Sequence, residues 1–426
     1  MSKHILLFSM ILFASELYAQ PKRLSLTDAI QAALENNADL AIAVEAAGQA
    51  RARAGEQHSV LLPGINAVAG HTSQTVNLGA RGIRFPGIPA RVGPFDVTDV
   101  RLQFSEPVLD LSLIRRYQSS KRSADASQFE TDAARNKVVA MVSNLYFGVQ
   151  RARGLVDAIS AEIELGEALR RLAQDRRDAG AGTRLDVTRS ESRLASDRHN
   201  LLAAENDSRT AELKLLRAMG APLDTSWDLT DALAPSVSSP DALQQAIQVA
   251  FQNRPEMKAE QRRLEAAGLA VEAAHAERLP SVQVFADYGG SGSLEAFVAT
   301  NTVGVQVSVP LFDGGRRSAH AKTTGSQLRQ TELHAKDVRD QIELEVRVAF
   351  DTLASARDEL TTAEQALQLA QEELDLSRLR YEAQVTTQID VISAQAELAA
   401  ARSRRVNALF AVKSGEIEYR RALGAK

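Results

Sequence analysis

The sequence of 426 residues contains no cysteine. This absence excludes a disulfide framework, a metal site built on thiolates and a lipid anchor attached through an N-terminal cysteine. Basic and acidic residues are interspersed and the net charge is −4. The chain therefore lacks the basic field that binding to nucleic acid requires.

Long apolar runs are missing beyond the N-terminus. Residues 1–19 combine Lys3 with an apolar run from Ile5 to Ala14 and end on the small Ala19. This pattern indicates a secretory signal peptide, which is too short to span a bilayer as a helix. Hydrophobic residues nevertheless make up 44% of the chain. We expect an exported protein in which any membrane contact is made by strands.

Proline is absent between Pro107 and Pro222 and again after Pro310. Both stretches are rich in Ala, Leu, Glu, Arg and Gln, which keep much of their side-chain freedom in a helix. At about 1.5 Å per residue, a helix from Gly315 to Tyr381 would be roughly 100 Å long. The sequence therefore predicts long helices.

Large and small residues alternate along these helices at spacings of three and four, as in a coiled-coil seam. In the second half the seam consists of Leu353, Ala356, Leu360, Ala363, Leu367, Ala370, Leu374, Ser377 and Tyr381. Such narrow seams suit a wall of antiparallel helices better than a thick core. The low aromatic content of 5% agrees with this interpretation.

The chain is internally duplicated. The segment LTDAIQAALENN, residues 26–37, matches LQQAIQVAFQNR, residues 243–254, without a gap. The pentapeptides TRLDV, residues 183–187, and TQIDV, residues 387–391, recur at the turns between long helices. We divide the chain into a signal peptide (1–19), a first repeat (20–221), a linker (222–239) and a second repeat (240–426). Each repeat has strands (about 63–107 and 280–310) and then a helical hairpin (about 110–220 and 314–423).

Two segments alternate between apolar and polar residues, as half-buried strands do. They are DVRLQFSEP, which ends at Pro107, and VGVQVSVP, which ends at Pro310. An open sheet edge in hydrocarbon would leave backbone groups unpaired. Four strands are too few to close a barrel, so several chains must contribute. The predicted fold is mainly α with a small β part, in which four strands per chain contribute to a transmembrane β-barrel.

The sequence resembles the TolC family of outer-membrane efflux and secretion channels. The resemblance covers nearly the whole mature chain and includes the junctions PVLDLSLIRR, residues 107–116, and PLFDGGRR, residues 310–317. It implies a homotrimer with one twelve-stranded β-barrel and an α-barrel of long antiparallel helices in the periplasm. The implied function is the passive exit duct of a tripartite efflux or type I secretion system in a Gram-negative outer membrane. Implied partners are a periplasmic membrane fusion (adaptor) protein, an inner-membrane transporter of RND, ABC or MFS type, and outer-membrane lipid.

The resemblance also implies a gate at the tips of the helical hairpins. Asp390 matches an acidic residue that rings the narrowest point, while Asp186 and Tyr381 match a pair that ties neighbouring coiled coils. Two positions depart from the family pattern: Ser393 replaces a second ring aspartate, and Thr386 replaces an arginine of the lock.

A simpler interpretation of the tips is helix capping. Thr183 with Asp186, and Thr387 with Asp390, have the spacing of a capping box. Each cap would stabilise its helix by on the order of 1 kcal/mol, and capping does not exclude a gate. Tyr381 also ends the seam, so packing alone could explain it. The alternative function is a soluble periplasmic coiled-coil scaffold or adaptor. The sequence contains no phosphate loop, zinc motif or catalytic triad, so we predict no cofactor, no metal site and no enzymatic activity.

Overall fold

The structure is a computed structural model that describes residues 22–82, 86–87, 89–234, 242–293 and 296–424. The predicted signal peptide, residues 1–19, lies outside the described residues. The chain divides into two compact units, which we call the hairpin unit and the sheet unit. The hairpin unit comprises Met1–Asn37, Met141–Ser236 and Leu360–Lys413, and the sheet unit comprises Ala38–Ala140, Val237–Glu359 and Ser414–Lys426.

The fold is mainly α with a small β part, as predicted. The elements are β1 (Lys22–Leu24), α1 (Leu26–Asn36), α2 (Ala38–Ser59), β2 (Gly64–Asn77), β3 (Arg91–Leu109), α3 (Leu111–Asp178), α4 (Arg184–Met219), β4 (Trp227–Leu229), α5 (Leu243–Asn253), α6 (Pro255–Ala276), β5 (Ser281–Ser293), β6 (Ala296–Ser308), α7 (Arg316–Glu382) and α8 (Gln388–Ala422). Helices α3 and α7 have 68 and 67 residues, which makes each roughly 100 Å long. No helix in the described part of the chain is both long and apolar enough to cross a membrane.

The sheet unit contains a four-stranded antiparallel sheet in the order β2-β3-β5-β6. Directly paired residues of an antiparallel sheet lie on the same face, so the register assigns every side chain to one of two faces. One face, which we call the apolar face, includes Ile65, Ala67, Val100, Leu102, Phe104, Val284, Ala286, Val303 and Val305. The other, the polar face, includes Asn66, Asp99, Arg101, Gln103, Ser105, Gln283, Asp287, Thr302 and Gln306. The predicted alternation therefore produces a sheet with two chemically different sides.

The hairpin unit is held together by a narrow core. Its buried members are Leu169, Ala370, Leu374, Tyr381, Val391, Ala394, Leu398 and Ala401. These residues come from α3, α7 and α8, and most belong to the large-and-small seam predicted from the sequence. Leu367, a predicted seam residue, is only half-buried and packs against the edge of this core.

The segment interpreted as a linker, residues 222–239, contains the short strand β4, which pairs in parallel with β1. Asp231 follows this strand and accepts hydrogen bonds from the backbone N–H of Leu26 (2.8 Å) and the hydroxyl of Tyr146 (2.9 Å). The Tyr146 hydroxyl also lies 2.9 Å from the carbonyl oxygen of Leu24. These bonds fix the start of α1 and the end of β4 to α3.

Candidate functional site at the hairpin tips

The turn between α3 and α4 forms the first hairpin tip. Its backbone reverses at Gly180, which has a φ of 73°, a left-handed conformation that glycine adopts without steric cost. Helix α4 then begins with a complete capping box. The Thr183 hydroxyl accepts from the backbone N–H of Asp186 (3.2 Å), and the Asp186 carboxylate accepts from the backbone N–H of Thr183 (2.9 Å). The Asp186 carboxylate is thus engaged in a local cap.

The turn between α7 and α8 forms the second tip, and its polar contacts differ. The Asp390 carboxylate accepts from the backbone N–H of Thr387 (3.3 Å) and from the hydroxyls of Thr387 (3.4 Å) and Thr386. The donation from the Thr386 hydroxyl is the main reason why the pKa of Asp390 lies below its usual value. Asp390 is therefore an ionised carboxylate at neutral pH.

Asp390 and Ser393 are both exposed and lie three residues apart on α8, so they occupy the same side of the helix. Thr386 is half-buried, and its hydroxyl donates to the Asp390 carboxylate. A side chain that is exposed and negatively charged at the end of a hairpin can act on ions in the surrounding water. This is the arrangement on which the predicted gate depends.

Tyr381 is buried, with 7% of its surface exposed. The guanidinium of Arg176, from the last turn of α3, lies 4.2 Å from the centre of the Tyr381 ring and donates a hydrogen bond to the Tyr381 carbonyl oxygen. The pKa of the Tyr381 hydroxyl is raised, mainly by burial. The charge of Arg176 opposes this increase, and the charge of Asp186 adds to it. Arg176 and Tyr381 together form a contact between the two hairpins, which we call the tip clasp.

The predicted tie between Tyr381 and Asp186 is not a hydrogen bond within the chain: among the described residues, none joins the Tyr381 hydroxyl to that carboxylate. Nothing in the sequence singled out Arg176, because basic residues are common in the last turn of helices, where they interact favourably with the helix dipole. Sequence reasoning also missed Gln388, which is buried and donates from its amide to the hydroxyl of Ser190 on α4. This bond is a second contact between the two hairpins.

Known proteins share both the sequence pattern and this fold. The model of the outer membrane efflux protein family matches residues 29–221 and 246–425. The pyoverdine export outer membrane protein OpmQ of Pseudomonas aeruginosa is 25% identical over 402 residues, covering 93% of this chain and 84% of that protein. The outer membrane efflux protein BepC of Brucella suis is 29% identical over 249 residues, covering 56% of this chain and 52% of that protein.

Solved structures agree with this match. The outer membrane protein VceC of Vibrio cholerae has a TM-score of 0.82 at 20% identity, with 94% of this chain and 96% of that chain covered. The open state of the outer membrane channel MtrE of Neisseria gonorrhoeae has a TM-score of 0.78 at 18% identity, with 94% and 89% covered. The fold is therefore that of outer-membrane channels.

The chain belongs to the outer membrane efflux protein family. The resemblance stated from the sequence is thereby confirmed, together with the outer-membrane location and the assignment as a transport protein rather than an enzyme.

Proposed function

We propose that three copies of this chain form a passive channel-tunnel, the outer-membrane exit duct of a tripartite efflux or type I secretion system. The observation that carries the proposal is the four-stranded sheet, which has an apolar face, a polar face and the edge strands β2 and β6. Open edges in hydrocarbon leave backbone groups unpaired, and pairing with further copies removes those edges. Three copies close one sheet of twelve strands with the apolar face toward lipid.

The helical hairpins extend this duct into the periplasm. The two repeats, 20–221 and 240–426, supply equal shares of its wall, joined by the segment 222–239, and residues 1–19 direct export. The same order of strand pair and long hairpin in each repeat supports this assignment. Narrow seams of leucine and alanine also suit helices that pack side by side with water on both sides.

The hairpin tips form the gate of the duct. In the trimer, Asp390 from three chains rings the entrance, where closely spaced like charges attract cations and repel anions. Thr183 and Thr387 cap the helices that follow the turns, and the Asp186 carboxylate is held in the cap of α4. Tyr381 holds the hairpins together through the tip clasp with Arg176. Ser393 and Thr386 are neutral, so Asp390 provides the one charge that each chain contributes among Thr386, Asp390 and Ser393.

A periplasmic adaptor and an inner-membrane transporter of RND, ABC or MFS type feed the duct, and they determine its cargo. The names of similar proteins include both small-molecule export and protein secretion. Examples from Pseudomonas aeruginosa are the pyoverdine export protein OpmQ and the alkaline protease secretion protein AprF. A passive duct accommodates either class, because it selects mainly by width and charge.

The alternative, a soluble periplasmic scaffold, fits the observations less well. A small soluble sheet would cover its apolar face, yet Val303, Val305 and Val307 are 77%, 65% and 62% exposed in the chain. Exposed apolar surface of this extent requires a partner or a membrane. Membership of an outer-membrane family favours the membrane.

Mass measurement of the protein in mild detergent tests the assembly. We expect the mass of three chains, and a stable membrane-inserted monomer would contradict the proposal. Planar-bilayer recordings then test the gate. Asp390→Asn should lower the preference for cations because it removes one charge per chain at constant size, and Ser393→Asp, on the same side of α8, should raise it. Unchanged selectivity in both variants would remove these positions from the gate.

A further inference from the structure

The polar face of the sheet carries a compact group of charged side chains. In the regularly paired part of the described strands, between the two register shifts of β3, the ionisable side chains of this face are Asp99, Arg101 and Asp287. The remaining residues of the face are neutral, such as Gln103, Gln283 and Thr302. The fixed charges of this regularly paired part of the face therefore belong to one group, which we call the sheet cluster.

The sheet cluster has a defined geometry. The Arg101 Nε donates to an Asp99 oxygen at 2.6 Å, and an outer nitrogen of the same guanidinium donates to the second Asp99 oxygen. The other outer nitrogen lies 3.2 Å from the Asp287 carboxylate on the neighbouring strand β5. Because two carboxylates share one guanidinium, the cluster keeps a net charge of −1 per chain.

Two of the positions paired with the cluster are glycines, whereas Val68 on β2 pairs with Arg101 and Ser291 on β5 pairs with Asp99. Gly289 lies directly opposite Arg101 on β5, and Gly70 lies opposite Asp99 on β2. A Cβ at Gly289 would be 2.5 Å from the Arg101 Cα, so the strand backbones approach closely there. Side-chain exposures of 26% for Arg101 and 35% for Asp99 leave the charges in reach of solvent.

We propose that the sheet cluster sets the ion preference of the membrane-spanning part of the duct, as a second cation-selecting belt separate from Asp390. The inference rests on the proposed trimer, in which the polar face encloses the lumen and the cluster occurs three times at one level. Low-dielectric walls around a narrow aqueous passage strengthen the field of such fixed charges. Because charges farther apart than a Debye length, about 10 Å at 0.1 M salt, are largely screened from each other, the cluster acts on ions that pass close to it.

Reversal potentials in planar bilayers under a salt gradient test the belt. Asp287→Asn reduces the net charge of the cluster to zero, so the cation-to-anion permeability ratio should fall. Arg101→Gln makes the net charge of the cluster more negative, −2 per chain, so the cation-to-anion permeability ratio should rise. The double variant restores −1 through Asp99 alone and should return near the parent value. All shifts should shrink in about 1 M salt, where the Debye length is about 3 Å.

Asp96→Asn is the matched control, because it removes the same charge from the opposite face of β3 and should leave the ratio unchanged. Trimer formation in detergent shows that each variant is assembled. If assembled, conducting Asp287→Asn and Arg101→Gln channels keep the parent ratio, or both shift it in one direction, the inference is wrong while the proposed duct stands. A parent protein that forms no channel would instead overturn the proposed function.

Discussion

The two hairpin tips have the same backbone and different side-chain chemistry. In the first turn, Ala181 N–H donates to the Arg176 carbonyl and Gly180 N–H to that of Arg177; in the second, Val385 N–H and Gln384 N–H make the equivalent bonds. Both turns contain one left-handed residue, with φ values of 73° at Gly180 and 61° at Gln384. The backbone thus follows one plan, and the side chains distribute separate tasks between the tips.

The same contrast extends along the helices. When the two repeats are aligned on their pentapeptides, Glu162 and Asp197 of the first hairpin correspond to Ala366 and Ala401 of the second. Glu162 and Asp197 are only 6% and 1% exposed. Burial, and next the charge of Asp197, raises the pKa of Glu162 to about 7, against the opposing effect of nearby arginines. The first hairpin therefore carries buried acids at two positions where the second has alanines.

The largest effect is expected from breaking the tip clasp. Arg176→Ala removes a cation–π contact and a charged hydrogen bond to the Tyr381 carbonyl, which together contribute about 3 kcal/mol. The equivalent residue of the second turn, Arg380, is exposed, and Arg380→Ala should change stability by about 0.5 kcal/mol or less. Denaturant unfolding of the two variants measures the difference. Equal stability of both would show that the clasp does not hold the hairpins.

The next effect concerns pH and the buried Glu162. Its pKa is raised from 4.5 in the unfolded chain to about 7 in the folded protein. The folded state therefore binds the proton more tightly, and stability falls as pH rises through this range. Between pH 5 and pH 7 this loss is about 2 kcal/mol for Glu162 alone. We expect Glu162→Gln, which resembles the protonated side chain, to unfold with a weaker pH dependence than the parent.

The charged neighbours of Glu162 determine how this experiment is controlled. Asp197 and Arg193 face it from α4, where they form an ion pair of 3.0 Å, and Arg402 faces it from α8. The parent-minus-variant difference in unfolding free energy isolates Glu162 from other titrating groups. Glu164→Gln, which changes an exposed carboxylate on the same helix, is the matched control for the substitution itself. A parent and Glu162→Gln variant with parallel pH profiles would contradict the buried-acid assignment.

Much of the fold could be predicted from the sequence because its patterns are periodic. The patterns are the seam from Leu353 to Tyr381 and the alternation in β3 and β6, which are periodic, and the pentapeptide, which occurs twice. Contacts between elements were less accessible. Arg176 belongs to none of these patterns, and Gln388 occupies one of the pentapeptide positions that differ between the two copies. Their partners Tyr381 and Ser190 lie on other helices.

The candidate site was predictable only in part for the same reason. The complete cap at Thr183 uses residues three apart, so spacing alone suggested it. At Thr387 the same spacing suggested an identical cap, but the Thr386 hydroxyl also donates to Asp390. Local spacing determines which groups can meet, whereas the rotamers decide which of them do.

The smallest predicted effect tests the shared backbone plan directly. Gln384 adopts a left-handed conformation that costs a non-glycine residue roughly 1 kcal/mol, whereas the equivalent Gly180 adopts it freely. Gln384→Gly should therefore stabilise the protein by somewhat less than about 1 kcal/mol, since glycine also gains freedom in the unfolded chain. Gly180→Gln should destabilise it by a similar amount. Thermal unfolding of both variants provides the measurement, and the two shifts should have opposite signs. Two shifts of the same sign would show that the turns respond to side-chain contacts rather than to their common backbone conformation.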